Sequence, residues 1–493
     1  MFLKELVKPL LTARITGNEK VDIHGIEVDS RKVKKGDLFI CLKGFTVDGH
    51  DYANTAVENG AAALICEREL PLSIPQVIVK DSRFAMALIS DIFYNHPTQK
   101  LKVIGVTGTN GKTTTTHLIE KILDDRGFVS GLIGTIKMKI GNETYDVKNT
   151  TPDAIELQKN FGKMEEAGST YAIMEVSSHA LDMGRVRGID YHIGVFTNLT
   201  QDHLDYHETM EKYRNAKGLL FSQLGNVYYN NLERQKYAVL NADDNAANYF
   251  KSITAAQVIT YGIDNNADVR ATNIAITAQG TKFTLESFKG KLEINLKMIG
   301  KFSVYNSLAA ITVGLIEGMK LEDIKRSLEE ITGVEGRFEA VNEGQVFTVI
   351  VDYAHTPDSL ENVLKTAGEF AKGKIYCVFG AGGDRDRTKR PLMGEIAMKY
   401  SDFAVVTSDN PRSEEPEQII NDILVGVNKA DNSGEKFITI IDRKKAIEYA
   451  ISNAESGDVI LIAGKGHETY QIIKDKVIHF DDREIARNAI RGK

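Results

Sequence analysis

The chain has 493 residues, 42% hydrophobic and 26% charged, the balance of a folded globular protein. At roughly 150 residues per domain it has room for about three domains. Lys plus Arg (61) against Asp plus Glu (68) gives a net charge of −7, which argues against a broad nucleic-acid surface but leaves room for a local basic pocket for a small anion. Trp is absent, and the three cysteines, Cys41, Cys66 and Cys377, lie far apart in apolar runs. They make neither a disulfide framework nor a CxxC metal site, and they fit a reducing cytoplasm. The N-terminal stretch is interrupted by Lys4, Glu5 and Lys8. With no apolar run near the ~20 residues of a spanning helix, neither secretion nor membrane insertion is expected.

Residues 1–98 mix short apolar strands (Asp37–Leu42, Ala61–Cys66) with glycine turns, and Asn95-His96-Pro97-Thr98 marks a boundary. From Lys102 the pattern becomes α/β. A buried strand Lys102–Val106 runs into a glycine-rich turn, then a helix with Leu118, Ile119, Ile122 and Leu123 at helical spacing. Tyr171–Val176 and Ile193–Asn198 read as further buried strands. Asp268–Met298 alternates apolar and polar residues, as antiparallel strands do, and a helix spans about Ser303–Glu317. A linker is predicted around Gly333–Arg337. Beyond it, strands Phe347–Val351, Ile375–Phe379, Phe403–Val406 and Val459–Ile462 each lead into a polar loop. In a parallel doubly wound sheet such loops share the carboxyl edge, where ligands bind. The expected domains are 1–98, 99–334 and 335–493.

The strongest local signal is Gly105-Val106-Thr107-Gly108-Thr109-Asn110-Gly111-Lys112-Thr113-Thr114. Glycines after a strand let backbone N–H groups approach phosphate oxygens, and the helix N-terminus favours an anion. Lys112 would contact β- and γ-phosphates, and the Thr113 hydroxyl would reach Mg²⁺. The strict GxxxxGK[ST] pattern is not met, because Val106 stands at the first glycine position. Glu175, at a strand end, reads alone as a solvated acid. Beside a phosphate loop it reads as a Mg²⁺ ligand. His203 sits in an Asp/His-rich turn that fits either a metal or a polar surface. Lys217 alone reads as a surface lysine.

The TGTNGKTT segment resembles the ATP loop of Mur ligases and folylpolyglutamate synthetases. Further motifs follow in order: Asn149–Pro152, Met174–Leu181, Asn198–His207, Tyr213–Lys217 and Gly336–Glu339. Together they resemble the Mur ligase family over the whole chain, in its tripeptide-synthetase branch. The resemblance implies an α/β architecture of three domains: an N-terminal UDP-binding domain, a central P-loop-like ATPase domain with a mostly parallel sheet plus a small antiparallel sheet, and a C-terminal Rossmann-like domain. It implies ATP and Mg²⁺, with ATP held by Gly108–Thr114, Asn306, Arg337, Asp352 and His355. It assigns Mg²⁺ to Thr113, Glu175 and Lys217, the last as N6-carboxylysine, and a second Mg²⁺ to His203. Carbamylation turns a cation that would repel the metal into a carboxylate-like anion. Lys112, Glu175, His203 and Lys217 are the expected catalytic set.

The same resemblance assigns Ser30 (in Asp29-Ser30-Arg31), the segment Lys43–Asp51, Thr150, Thr151, Ser177 and Arg185 to a UDP-muramoyl-dipeptide. Met183 departs from the polar residue usual two positions before that arginine. Asp409-Asn410-Pro411-Arg412 resembles the motif of relatives that add meso-diaminopimelate, with further contacts from Arg385, Gly464 and Glu468. An arginine there can grip the second carboxylate that L-lysine lacks. The expected activity is ATP-dependent addition of meso-diaminopimelate to UDP-MurNAc-L-Ala-D-Glu, by a cytoplasmic monomer with no nucleic-acid partner. The alternatives are a lysine-adding synthetase, a folylpolyglutamate synthetase and a non-catalytic P-loop switch protein.

Overall fold

Apolar runs separated by polar loops become three main sheets, in sequence order. The structure, a computed structural model, describes residues 1–44, 47–147, 149–225, 234–431 and 434–493. Phe45 and Thr46 of the segment expected to bind UDP lie outside the described residues.

The N-terminal sheet is five-stranded, in the order Arg14–Thr16, Gln76–Ile78, Ala63–Cys66, Asp37–Ile40, Gly25–Glu27. All its pairings are parallel except that of Arg14–Thr16. The central sheet has 11 strands. Its middle strands are buried on both faces, so they read as continuous apolar runs: Val103, Ile104 and Val106; Ile173 and Met174; Ile193, Val195 and Phe196. The alternating region folds as Val269–Thr277, Gly280–Ser287 and Gly290–Leu296, antiparallel strands that hydrogen-bond onto one edge of that sheet. Phe283, Leu285, Ile294 and Leu296 point inward, while Lys282 and Glu293 face water.

Helix Lys301–Ile316 is apolar on nearly every side. It lies beside helix Lys112–Asp124 on the sheet, and buries Val304, Leu308, Ile311, Val313 and Leu315. Each such side chain contributes roughly 1.5–3 kcal/mol.

Strand order decides where the chemistry sits. Lys102–Thr107 lies between Tyr171–Glu175 and Tyr191–Phe196, in parallel register, with Glu175 opposite Val106 and Phe196 opposite Thr107. Three adjacent strand ends therefore release Gly108–Gly111, Val176–Ser178 and Thr197–His203 at one edge. In the C-terminal sheet Thr348–Asp352, Val459–Ala463, Ile375–Phe379 and Phe403–Val406 are parallel neighbours. Their four following loops gather in the same way. The C-terminal helix Asp482–Arg491 is locked beneath them by Arg443, whose Nε and Nη2 bond Asp482 at 2.8 and 2.7 Å in full burial.

Candidate active site

The phosphate loop is held open by two glycines with positive φ, Gly108 (+150°) and Gly111 (+85°). A side chain at Gly108 would strike Thr197 Oγ1, and one at Gly111 would strike Asn306 Oδ1. Asn306 therefore sits against the loop, from the middle helix, and accepts from Thr115 Oγ1 at 3.4 Å. Lys112 Nζ donates to the carbonyls of Gly108 (2.9 Å) and Thr109 (2.7 Å), and burial lowers its pKa. Thr114 is buried just behind it. Thr113 Oγ1 donates to Glu175 Oε2 at 3.1 Å and accepts from Arg337 Nη2 at 3.2 Å. One hydroxyl thus joins the central strand end to a cation from beyond the linker.

Glu175 is fully buried, yet its carboxylate is well supplied with donors. Thr135 N and Oγ1 bond it at 2.8 and 2.9 Å. Thr135 was not legible as a site residue, because it lies outside every motif. Lys217, on helix Met210–Ser222, is 1% exposed. Its Nζ donates to Gly108 O at 2.9 Å and lies 4.4 Å from the Tyr213 ring centroid. Burial, and then Lys112, pull its pKa well below the usual lysine value. Both effects favour the uncharged amine, the form that reacts with carbon dioxide. His203 adopts φ +55° and approaches Asp202 at 3.3 Å. Burial brings its pKa down to about 4, which leaves an imidazole able to bind metal. Its ring also faces Tyr213, at 6.0 Å.

No group of three or more His, Cys, Asp or Glu is poised for a metal among the described residues. A hydroxyl, a carboxylate, an imidazole and a lysine whose carbamate would be anionic fit Mg²⁺, which takes few protein ligands and keeps phosphate oxygens.

Across the cleft, Arg337 stacks on Tyr353 at 4.5 Å. Its Nε and the Nδ1 of His467 are buried without hydrogen-bond partners among the described residues. Orphaned polar nitrogens at a cleft wall suit a polar ligand. Asp352 accepts from Phe338 N and Ala354 N, both at 2.7 Å, and burial pushes its pKa up to about 6. His355 is exposed, with Nδ1 2.8 Å from Tyr353 O.

Beside Glu175, Thr151 Oγ1 donates to the Glu175 carbonyl (2.9 Å) and accepts from Ser177 N (3.1 Å). Thr150 Oγ1 lies 3.1 Å from Thr135 Oγ1, and Arg185 Nη1 donates to Thr151 O at 3.1 Å. Thr150, Thr151, Ser177 and Arg185 are therefore one cluster. Arg185 also meets Met183 sulfur at 3.4 Å. Ser30 stands apart in a short turn of the N-terminal domain, where its carbonyl accepts from Asn59.

The C-terminal loops form a second cluster. Asn410 Nδ2 donates to Glu468 Oε2 at 2.8 Å, while Asn410 Oδ1 accepts from Ile472 N at 2.9 Å. Lys465, fully buried, bonds both Asn410 (3.3 Å) and Glu468 (3.1 Å). It was missed at sequence level, although it stands between Gly464 and Glu468. Burial raises the Glu468 pKa against the pull of Lys465. Gly464 has φ +119°, and a Cβ there would lie 2.5 Å from Asp409 Oδ2. Pro411 is buried, and Arg412, at φ +54°, donates to Gly383 O at 2.7 Å. Arg385 is exposed on the neighbouring loop.

A strand–glycine loop–helix phosphate site, faced by a second α/β domain that lends an arginine, defines a nucleotide-dependent enzyme that works in an interdomain cleft. The chain matches the Mur ligase middle domain over residues 106–314, the Mur ligase glutamate ligase domain over 336–466, and the Mur ligase family catalytic domain over 22–91. It is 56% identical to a UDP-N-acetylmuramoyl-L-alanyl-D-glutamate–2,6-diaminopimelate ligase of Bacillus cereus, over 100% of this chain and 99% of that one. A solved structure of a ligase with that name superposes with a TM-score of 0.70 at 33% identity, covering 100% and 99%. A MurF ligase of Thermotoga maritima in complex with ADP shares the fold, at a TM-score of 0.61 and 19% identity, covering 96% of each chain. The chain belongs to the Mur ligase family.

Proposed function

We propose that this chain is an ATP-dependent amide ligase of peptidoglycan precursor synthesis. It joins an amino group of meso-2,6-diaminopimelate to the D-Glu γ-carboxylate of UDP-N-acetylmuramoyl-L-alanyl-D-glutamate, forming ADP and phosphate. The observation that carries the reading is the Thr113 hydroxyl, shared between Glu175 and Arg337. It couples a phosphate loop to a cation from the opposite wall, as a reaction that needs domain closure requires. The full-length identity to the Bacillus cereus ligase supports the substrates.

The γ-carboxylate attacks the γ-phosphorus of ATP, ADP leaves, and an acyl phosphate forms. The diaminopimelate amine then attacks the acyl carbon, loses a proton and expels phosphate. Lys112 orients the transferring phosphoryl group and offsets its charge. Thr113, Glu175 and carbamylated Lys217 would hold one Mg²⁺ and His203 a second, and these ions would neutralise phosphate charge. Asn306, Arg337, Asp352 and His355 enclose the nucleotide, and closure keeps water from the acyl phosphate.

Residues 1–98 with Ser30 take the UDP end, 99–334 the ATP, and 335–493 the amino acid. Thr150, Thr151, Ser177 and Arg185 orient the muramoyl dipeptide. Arg412 takes the distal carboxylate of diaminopimelate and Glu468 its ammonium, with Arg385, Asp409, Asn410, Pro411 and Gly464 shaping the pocket. No helix among the described residues is long and apolar enough to cross a membrane. The reading includes a cytoplasmic, monomeric enzyme.

The test is phosphate release from ATP and UDP-MurNAc-L-Ala-D-Glu with meso-diaminopimelate, with L-lysine and with no amine. Release only with diaminopimelate is expected. A preference for lysine overturns the Arg412 assignment, no amine-dependent release overturns the ligase, and full activity of Lys112→Ala overturns the mechanism.

A further inference from the structure

Arg337 is not the only side chain from beyond the linker that reaches the phosphate loop. Asp358 lies in the first turn of helix Pro357–Gly368. Its Oδ2 accepts from Asn110 Nδ2 at 3.0 Å and from Thr200 Oγ1 at 2.8 Å, with Asn362 Nδ2 of its own helix at 3.2 Å. The first two donors are 248 and 158 residues away in sequence.

An acid in a first helical turn commonly serves the helix itself. That need is met otherwise here, because Thr356 and Ser359 form a complete capping box. Asp358 therefore looks outward. It is half-buried, and burial raises its pKa, the mark of a carboxylate taken from water without a compensating cation.

What it grips matters more. Asn110 stands in the phosphate loop, its backbone tied to Asn198 (2.9 Å) and Thr197 (2.6 Å). Thr200 bonds Thr109 in both directions, its N donating at 3.0 Å and its carbonyl accepting at 3.2 Å. It also opens the segment that leads to His203. One carboxylate oxygen thus spans the phosphate loop and the His203 loop at once.

We propose that Asp358 is a positioning residue for phosphoryl transfer, a latch by which the C-terminal domain fixes Asn110 and Thr200 when the cleft closes. Asp358 touches no reacting atom, and it acts through the loops it aligns. An open cleft leaves Asn110 and Thr200 without this acceptor, so the phosphate loop and His203 loop reach working geometry together only on closure. The turnover part of this inference rests on the ligase reading.

The full-length chain is compared with Asp358→Ala, Asp358→Asn, Thr200→Val and the Asp358→Ala/Thr200→Val double variant. Losing hydrogen bonds from neutral donors to a carboxylate corresponds to a fall on the order of tenfold or more in kcat for amine-dependent phosphate release with Asp358→Ala. The KM for diaminopimelate should stay within about twofold. Asp358→Asn keeps an acceptor oxygen and should recover most of the rate. The double variant should be no worse than about twofold below Asp358→Ala, because both changes remove one contact. Equilibrium binding of a non-hydrolysable ATP analogue gives a readout without turnover, and Asp358→Ala should weaken it about threefold or more. Unchanged kcat and analogue affinity in Asp358→Ala overturn the latch, as do strictly additive losses in the double variant. Absent phosphate release in the unaltered chain would instead sink the ligase reading, and the analogue arm would still decide the latch.

Discussion

The helix that carries Asn306 is fastened at its far end by one buried acid, and that fastening can be weighed. Glu317 follows helix Lys301–Ile316 and is 3% exposed. Lys102 Nζ and Tyr171 OH donate to its Oε2 at 2.7 and 2.6 Å, and His192 Nε2 lies 2.6 Å from its Oε1. Burial alone would push this carboxyl up. The bonds from His192, Lys102 and Tyr171 outweigh it and hold the pKa down to about 2, against an ordinary 4.5. At 1.36 kcal/mol per pH unit the difference is about 3 kcal/mol. Because the folded value is the lower one, this stabilisation is complete above pH 4.5 and fades as pH falls towards 2. Glu317→Gln should therefore lower unfolding free energy by about 3 kcal/mol at pH 7 and by only about 2 kcal/mol at pH 3.5. Urea unfolding followed by far-UV circular dichroism, at pH 7, 5.5, 4 and 3.5, measures both gaps. An equal midpoint for the two proteins at pH 7 would refute the clasp. A gap that stays constant down to pH 3.5 would refute its charge dependence.

Lys217→Ala should lose phosphate release by roughly 10²–10³-fold, the scale for removing one preorganised charge-stabilising group. A short carboxylic acid added to that variant should restore part of the rate, and no rescue would count against the carbamate. Arg412→Ala should lower kcat/KM for meso-diaminopimelate by roughly 10–100-fold, the value of a charge-assisted contact, and leave L-lysine turnover as low as before. Steady-state kinetics with both amines checks this, and equal loss for both would refute a carboxylate-specific role. Gly464→Ala places a Cβ 2.5 Å from Asp409 Oδ2 at φ +119°. It should raise the KM for diaminopimelate severalfold and leave analogue affinity near normal, as isothermal titration would show.

Local chemistry was legible in the chain itself. The run from Lys102 to Thr114 carries strand, glycines and helix start within one stretch, so a phosphate loop could be read there without knowing its distant partners. The antiparallel run Gly280–Leu296 announces itself by alternation, because one face meets the core and the other meets water. The four C-terminal strands were readable for a different reason, because strands buried on both faces read as short continuous apolar runs, each here entering a polar loop. The family motifs then named Lys217 and Arg412, residues whose own chemistry in sequence is that of a surface lysine and a loop arginine.

What the tertiary structure decided is everything that depends on desolvation and on meetings between distant segments. The Lys217 pKa falls only because the fold buries the amine and sets it beside Lys112. Thr135 meets Glu175 only through strand order, and Lys465 joins the Glu468 cluster only when the fold buries it against Asn410. Glu317 and Asp358 look like ordinary helix-terminal acids until three elements of the central sheet surround one and the phosphate loop meets the other. Periodicity along a chain records which face is buried. It carries no record of which buried groups will share a dielectric, and that sets the charge of a lysine or the reach of a latch.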